Sequence, residues 1–343
     1  MKFTVGYQMQ EEEETSLTEI ALQNARNIEE VYFPWLDNST GRASLTNRRG
    51  YVDWQGQEKL ENDLIKLRNA GIKLDLLFNA NCYGSNSMSQ YLDNQVCSIL
   101  RHLEKVVDGV DVVTTASPAI AFMIKQNFPR VEVRASVNMR IGTVKGMEYV
   151  SHLFDSFYIQ REYNRDFEKI KELKGWCDAN EKRLLMLANS GCLNFCSGQT
   201  FHDNLVAHEN EIIETVNIPG WTPHVCWNYY KKKKNWVSVL QNSWVRPEDL
   251  HYYEEYFPVV KLATRMHQLP GMVIKSYIDG KYYGNVLDLF EPGFGTIFAP
   301  YVLDNVRFPS DWFETTSKCS KKCHECNYCE NVLAKVIRNS ELG

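Results

Sequence analysis

The stretch "IKLDLLFNA" (residues 72–80) decides the fold of this chain. The stretch follows Gly71 and is mostly apolar over the length of one strand. Asn79, its next-to-last residue, is polar. A short apolar run bounded by turn residues is typical of a strand buried on both faces of a parallel sheet. Helical patterns near 57–70 and 89–106 flank the run. The region therefore predicts a strand joined on both sides to crossover helices.

The same alternation of strand and helix extends in both directions along the chain. Further strands are predicted at 2–8, 29–35, 110–117, 131–138, 154–162, 182–191 and 258–265. Other helices are predicted near 15–28, 143–152 and 164–176, from Pro118 onward, and in "RPEDLHYYEEY". Eight strand–helix units predict an α/β fold, a closed (β/α)8 TIM-like barrel, with a doubly wound sheet as the alternative.

Two segments do not fit the repeating unit and set the domain organisation. Residues 191–257 are too long for one loop, so they predict an insertion after strand seven. The barrel with this insertion is predicted to cover residues 1–265. Residues 266–343 are predicted to form a C-terminal extension that carries a cysteine-rich, metal-binding motif.

The composition is that of an ordinary globular protein. The chain has 343 residues, of which 44% are hydrophobic and 24% charged, and its net charge of -5 argues against a global nucleic-acid-binding surface. The N-terminus has no apolar signal segment, and no window of ~18 apolar residues predicts a membrane span. We therefore expect a cytoplasmic protein whose 10 cysteines serve as free thiols or metal ligands rather than disulfides.

Polar or reactive side chains follow most of the predicted strands. They are Asn79 and Cys82 after strand three, Ser117 after four, Asn138 after five, Arg161 and Glu162 after six, Cys192 after seven and Arg265 after eight. In barrel enzymes the carboxyl ends of the strands carry the active site. This pattern predicts a site at that end of the barrel.

Three cysteines of the insertion form a first metal-binding candidate. Cys192 and Cys196 flank a short turn, and Cys226 follows across the insertion. Three such thiols suit an iron–sulfur cluster or zinc. Cys82 is the candidate for a fourth ligand, whereas Cys97 lies in an apolar helix and is expected in the core. The neighbouring His202, His208 and His224 are alternative ligands.

The stretch "CSKKCHECNYC" (319–329) is a second candidate. Its thiols, Cys319, Cys323, Cys326 and Cys329, would repel one another as thiolates unless a cation compensated them, so we expect metal binding. Zinc and an iron–sulfur cluster suit the four thiols equally well. The first three cysteines also match the CxxxCxxC of radical S-adenosylmethionine enzymes, but that motif normally follows the first barrel strand. A disordered, redox-sensitive tail is the remaining alternative.

Four segments, in the same order, resemble the U-thirty-two (collagenase-like) peptidase family. They are "VEVRASVNMRIGT", "FDSFYIQREYNRDFEKI", "RLLMLANSGCLNFCSGQ" and "WVRPEDLHYYEEYFPVVKLATR". The family includes the anaerobic ubiquinone-hydroxylation and RNA-hydroxylation proteins. The resemblance covers roughly residues 1–270 and implies a barrel with a four-cysteine [4Fe–4S] cluster, with Cys192, Cys196 and Cys226 as three ligands. The cysteine-rich tail has no counterpart in this pattern.

The resemblance favours an oxygen-independent, iron–sulfur-dependent redox enzyme, or a subunit of one, that hydroxylates or otherwise modifies a small molecule or RNA. It implies a dianionic oxygen donor such as prephenate, and a protein partner or electron donor. Carboxylates of the substrate would be bound by cationic and amide side chains, for which the candidates are Arg134, Asn138, Arg161, Lys261 and Arg265. Glu162 would orient an arginine or act as a base. The structural alternative for each charge is an ion pair in the barrel core.

Two other functions remain open. The first is a non-catalytic, metal-binding barrel that binds RNA or protein, because "KKKK" (231–234) lies among Trp227, Tyr229, Tyr230 and Trp236, as in single-strand binders. The second is a peptidase, as the family name suggests. The sequence contains no HExxH and no Ser-His-Asp pattern that supports this role directly.

Overall fold

Eight parallel strands close into a barrel in which each strand pairs with the next and the eighth with the first. The computed structural model describes residues 1–9, 15–36, 38, 40–41, 45, 53–213 and 215–340. The strands are β1 (Lys2–Gly6), β2 (Ile28–Pro34), β3 (Lys73–Phe78), β4 (Val112–Thr115), β5 (Glu132–Ala135), β6 (Ser156–Tyr158), β7 (Arg183–Leu187) and β8 (Val259–Lys261). The (β/α)8 prediction is confirmed, and the closed sheet excludes the doubly wound alternative.

The helices that cover the barrel follow the predicted order. They are α1 (Leu17–Gln23), α2 (Trp54–Asn69), α3 (Gln90–Val107), α4 (Pro118–Asn127), α5 (Val144–Val150) and α6 (Phe167–Ala179). Local signals explain their ends: the Ser117 side chain accepts a hydrogen bond from the Ile120 N–H at the start of α4, where Pro118 occupies the first turn. Asp108 ends α3 with a left-handed backbone, φ 57°.

The insertion after β7 consists of short helices. They are α7 (Gln199–Ala207), α8 (Glu209–Ile213) and α9 (Val225–Tyr230), followed by 3-10 helices at Lys233–Val239 and Pro247–Tyr253. The segment "RPEDLHYYEEY" is therefore helical, but as a 3-10 helix rather than an α-helix.

The C-terminal part begins with a helix that belongs to the barrel. Helix α10 (Pro270–Asp279) follows β8 and packs beside α1, so it takes the place of the eighth barrel helix. The predicted boundary at residue 265 separates this helix from the barrel to which it belongs. Beyond it come α11 (Gly295–Phe298), β9 (Tyr301–Leu303), α12 (Trp312–Ser317), α13 (Tyr328–Val336) and β10 (Ile337–Asn339), and β9 pairs with β10 in antiparallel register.

Aromatic packing joins the extension to the insertion and the barrel. Trp244 and Trp312 are both buried and stacked, with ring centroids 5.8 Å apart. The Arg165 guanidinium lies 4.6 Å from one ring and 5.0 Å from the other. It also donates hydrogen bonds to the carbonyls of Leu240 and Trp244. The extension thus shares one core with the loop that follows β6.

Among the described residues, no helix combines the length and the apolar character needed to cross a membrane.

Candidate active site at the barrel mouth

The interior of the barrel contains a network of paired charges. Arg134 is fully buried, and its two terminal nitrogens lie 2.7 and 3.0 Å from the carboxylate oxygens of Glu30. The same guanidinium donates to Glu132 at 2.9 Å and to the Ser156 hydroxyl at 3.1 Å. Arg134 was predicted to bind substrate at the mouth. Its position and its protein partners favour the structural alternative, an ion pair in the core.

Lys261 and Asp75 complete this network nearer the carboxyl ends of the strands. The Lys261 ammonium lies 3.7 Å from the centroid of the Tyr32 ring and 5.0 Å from that of Tyr158. Burial lowers the pKa of Lys261. Burial, and then the Glu30 charge, raise the pKa of Asp75, although Thr114 donates a 2.7 Å hydrogen bond to it. Lys261 therefore belongs to the barrel interior and faces aromatic rings and carboxylates.

Arg161 and Glu162, the predicted catalytic pair, lie on a 3-10 turn directly after β6. The Arg161 guanidinium donates to the side-chain oxygen of Gln199 in α7, and Gln199 in turn donates to Asp203 at 2.6 Å. Glu162 is 3% exposed, and its Oε2 has no hydrogen-bond partner among the described residues. A buried carboxylate oxygen of this kind is costly unless a ligand or proton occupies it. Arg161 thus binds the insertion, and Glu162 keeps one carboxylate oxygen that has no partner among the described residues.

The remaining predicted substrate residues hold the loops around the mouth. The Asn138 side chain donates to the Asn79 carbonyl at 3.3 Å. Arg265 is 7% exposed and donates to the Thr40 hydroxyl at 3.0 Å. These contacts tie the loops after β2, β3, β5 and β8 together around the barrel axis.

The structure brings Cys192 and Cys226 of the insertion to one cavity, and Cys196 lies near Cys226. Phe195 has a left-handed backbone, φ 49°, which turns the chain tightly between Cys192 and Cys196. The Asn242 side chain accepts from the Asn194 N–H at 3.0 Å and fixes this turn. Burial raises the pKa of Cys226 to about 11, and the neighbouring thiols of Cys192 and Cys196 add to the shift. Cys192 and Cys196 therefore lie close enough to Cys226 to disfavour its ionisation.

A cavity of about 720 Å³ opens beside these thiols. Its lining includes Cys192, Cys226, His202, His224, Glu209, Met266, His267 and Glu291. Arg161 and Arg265 are not among the described residues that line it. The rings of His202 and His224 meet edge to face, with centroids 5.0 Å apart. The cavity therefore joins two of the three histidines named from the sequence to two of the three thiols.

Cys82 does not join this group. It lines a separate cavity with His208, and a hydrogen bond to that histidine lowers its pKa. The prediction of Cys82 as a fourth ligand is not supported by this geometry, because its partner is an imidazole from the far end of α7. His208 likewise turns away from the three thiols.

The C-terminal motif lies against the turn that carries the predicted catalytic pair, Arg161 and Glu162. Burial raises the pKa of Cys329 to about 11, with Cys319, Cys323 and Cys326 adding to the shift. The Lys321 ammonium donates to the Glu162 carbonyl at 3.2 Å and lies 3.7 Å from Asp166. The tail is therefore a part of the folded mouth. The alternative of a disordered tail does not hold for residues up to 340.

In the described ranges, no three His, Cys, Asp or Glu side chains are arranged to hold a single metal ion. An iron–sulfur cluster is larger than an ion, so its ligands stand further apart. The donor set fits such a cluster: Cys192, Cys196 and Cys226 are thiols on one loop system beside a cavity, and each lacks full exposure. The group offers three thiols that could act as ligands, and no fourth thiol joins them among the described residues.

The aromatic residues around the lysine run differ in exposure, and Tyr229 is exposed. Tyr230 and Trp236 are buried, and Trp236 stacks on Phe298 with ring centroids 4.4 Å apart. Lys233 lies 3.9 Å from the centroid of the Tyr301 ring. Two of the four rings proposed for RNA stacking therefore belong to the core of the extension.

Sequence reasoning missed several residues of the mouth. Gln199 and Asp203 bind Arg161 and Arg140, and Glu209, His267 and Glu291 line the larger cavity. The sequence contains one clue to them: Gln199 and Asp203 are spaced i, i+4, and Gln199 comes three residues after Cys196. No local pattern marks Glu291, which comes from the extension.

Comparison with known proteins supports the sequence resemblance. No protein-family model matches the chain. An uncharacterized protease of Methanocaldococcus jannaschii is 26% identical over 306 residues, which span 87% of this chain and 85% of the relative. The solved structure of the U32 peptidase Mk0906 superposes with a TM-score of 0.54 at 15% identity, over 76% of this chain and 92% of that one. The chain is thus similar in sequence to a protease and shares the barrel fold of a U32 peptidase, in keeping with the four ordered segments.

Proposed function

We propose that the protein is an oxygen-independent redox enzyme that holds an iron–sulfur cluster on Cys192, Cys196 and Cys226. The observation that carries this proposal is the convergence of these thiols beside a cavity of about 720 Å³ at the barrel mouth. The neighbouring thiols that raise the pKa of Cys226 disfavour its thiolate unless a cation compensates it, and clustered thiolates are the ligands of iron–sulfur clusters. A bound cluster would supply one-electron transfer to the substrate.

The residues around the cavity suit a small substrate with carboxylate groups. His202, His224 and His267 bring imidazole groups to its wall, and Gln268 adds a side-chain amide. Arg265 lies directly before Met266, which lines the cavity.

Glu162 is the group that we assign to proton transfer. Its Oε2 is buried and has no hydrogen-bond partner among the described residues, so it can accept a proton or a hydrogen bond from a ligand. Arg161 lies next to it, with Nε 3.8 Å from Glu162 Oε1, and binds Gln199 of the insertion. The pair therefore couples the barrel turn to the helix that borders the thiols.

We assign the C-terminal cysteines to a second metal centre, an iron–sulfur cluster or zinc. The four thiols are electrostatic neighbours, and Lys321 between them binds the Glu162 carbonyl. A metal there would hold the tail over the catalytic turn, and an iron–sulfur cluster would also relay electrons from a protein donor.

The test is the iron, zinc and acid-labile sulfide content of the protein after strictly anaerobic purification. We expect about eight iron and eight sulfide if both sites hold [4Fe–4S] clusters, or about four iron and one zinc if the tail is structural. Cys226→Ala should lose the first site, and Cys323→Ala with Cys326→Ala the second. Cys97→Ala, a buried thiol of α3, is the matched control and should change neither. Protein without iron would overturn the proposal.

A further inference from the structure

A second cavity, of about 320 Å³, opens where the loop after β3 meets the end of α7. Its lining brings together a thiol, an imidazole and a carboxylate, those of Cys82, His208 and Glu211. The three residues come from the barrel and from the insertion, which are far apart in sequence. This cavity is distinct from the larger one, and the α7–α8 segment lies between them, since His202 and Glu209 face the larger cavity.

The contacts within this group are ordered from thiol to base to carboxylate. His208 Nδ1 lies 3.3 Å from Glu211 Oε2, one helical turn along the chain. This contact leaves Nε2 as the ring nitrogen available to the thiol, and the His208 Cε1 atom would lie 3.6 Å from a Cβ placed on Gly84, two residues after Cys82. The hydrogen bond between thiol and imidazole lowers the pKa of Cys82 and raises the pKa of His208. The backbone N–H of Gly84 donates to the Cys82 sulfur at 3.4 Å.

An independent feature of the cavity is a polar group that lacks a partner. Asn38 is 7% exposed and lines the cavity, and its Oδ1 accepts a hydrogen bond from Gln95 at 3.0 Å. Its Nδ2 has no hydrogen-bond partner among the described residues. A buried donor of this kind is costly when left unpaired, and it suits an oxygen that develops negative charge. The apolar wall is formed by Phe78 and Leu92.

We propose that Cys82, His208 and Glu211 form an acyl-transfer site, in which the Cys82 thiolate attacks the carbonyl carbon of a small thioester, ester or amide. In this site Cys82 is the nucleophile, His208 the general base and Glu211 a positioning residue for the imidazole. Asn38 Nδ2 supplies a hydrogen bond to the carbonyl oxygen as it becomes an oxyanion.

The chemistry balances without an external oxidant or reductant. His208 takes the thiol proton as the sulfur–carbon bond forms, and it returns that proton to the leaving group as the carbonyl carbon–leaving group bond breaks. This leaves an acyl thioester on Cys82. Water, deprotonated by the same imidazole, then attacks the thioester carbon, and the products are a carboxylic acid and the free thiol. The site is independent of the proposed cluster, because hydrolysis transfers no electrons.

Another thiol on the same side of the barrel shows that this arrangement is specific. Cys97 is 5% exposed, and its thiol donates to the Asp93 carboxylate at 3.5 Å. Burial and this carboxylate raise the pKa of Cys97. Cys97 thus has an acidic partner where Cys82 has a basic one, and it serves as the internal reference in the experiments below.

The first experiment measures the alkylation rate of each cysteine by iodoacetamide at neutral pH, with peptide mapping by mass spectrometry on the full-length protein. We expect Cys82 to react at least about tenfold faster than Cys97, and His208→Gln to slow Cys82 about tenfold. Glu211→Gln should slow it by a smaller factor, and Glu211→Asp should restore it. A Cys82 rate that does not change in His208→Gln would overturn the proposal.

The second experiment looks for the acyl-enzyme itself. The protein is mixed with thiophenyl acetate, para-nitrophenyl acetate or alanine para-nitroanilide, quenched in acid and mapped for an acyl group. The three probes distinguish thioester, ester and amide substrates. Labelling of Cys82 that is lost in Cys82→Ser and retained in Cys97→Ser supports the proposal, and Asn38→Ala should slow it about 10²-fold. Labelling of another cysteine, or no labelling of Cys82 by any probe, would overturn it. Iron content does not enter this result, so it can fail separately from the redox proposal.

Discussion

The barrel interior and the insertion after β7 both concentrate ionisable groups, but they do so in opposite ways. In the interior, Arg134 meets Glu30 and Glu132 at hydrogen-bond distance, and Asp75 lies 3.7 Å away. In the insertion, Cys192, Cys196 and Cys226 are alike, and the first two make ionisation of Cys226 less favourable. The first group is compensated within the protein, whereas the second would be compensated by the metal that we propose.

This difference separates structural charges from candidate ligands. A buried charge with opposite partners contributes to the fold through pairs that are costly to break, and it is not free to bind a substrate. Thiols placed together without a positive partner are at a disadvantage until metal binds. The same criterion distinguishes Cys82, which has a histidine partner, from Cys192, Cys196 and Cys226.

The largest effect is expected from breaking the interior network. Arg134→Met leaves Glu30 buried without its bidentate partner, so we expect a loss of roughly 3–5 kcal/mol in the free energy of unfolding. Chemical denaturation measures this value. Arg183→Met is the matched control, because Arg183 contacts Glu132 at 2.9 Å from a side chain that is 43% exposed, and it should cost less than about 1 kcal/mol. Equal losses in the two variants would contradict the assignment of Arg134 to the core.

Removal of metal should affect the insertion and leave the interior intact. Treatment with a chelator under air is expected to make the segment around Cys192 to Cys226 sensitive to limited proteolysis, because the three thiols lose the cation that holds them together. Mass spectrometry of the fragments locates the cuts. The described strands β1 to β6 should stay protected, since their charges are paired within the barrel. Cuts that appear first in those strands would show that the metal supports the barrel instead.

A buried thiol outside the metal sites should behave as an apolar side chain. Cys177 is fully buried in α6, with its sulfur 3.8 Å from that of Met147, and burial raises its pKa to about 12. Cys177→Ala should cost about 1 kcal/mol of unfolding free energy through the small cavity it creates, with no change in iron content. A decrease in iron would place Cys177 among the ligands.

The last effect is a pH dependence of the interior network. Burial raises the pKa of Asp75 to about 7, so the unfolded carboxyl ionises at lower pH than the folded one. Stability therefore falls as the pH rises from the unfolded pKa to the folded pKa, and it levels off above that. We expect the wild type to lose stability relative to Asp75→Asn between about pH 4 and pH 8, by at least about 1 kcal/mol. Denaturation at several pH values checks this difference, and a constant difference would mean that Asp75 stays charged throughout.

Most of the barrel could be predicted from the pattern of apolar residues along the sequence. Apolar runs of strand length, such as 72–80, can be buried only between layers of helices, and the order of eight such runs permits little besides a closed barrel. The observed strands are shorter than predicted at their carboxyl ends, as in β6, which ends at Tyr158 rather than residue 162. There the chain leaves the barrel in a 3-10 turn that presents Arg161 and Glu162.

The position of Arg134 could have been predicted with closer attention to alternation. It lies within the predicted strand 131–138 between Val133 and Ala135, and side chains alternate between the two faces of a strand. If the apolar neighbours face the helices, Arg134 faces the barrel interior. The same argument applies to Lys261 between Val260 and Leu262. The alternation of side chains along these strands thus predicts which charged residues face the barrel interior and which lie at the mouth.

The sequence by itself determined the fold, the proximity of Cys192 to Cys196 and the cysteine density of the tail, because each depends on short-range pattern or spacing. Only the tertiary structure decided which distant groups meet. Cys226 reaches the first two thiols through the folding of the insertion, whereas Cys82 meets His208 instead of them. Long-range partners depend on how α7 and α8 pack across the barrel mouth, and no local pattern in the chain records that packing.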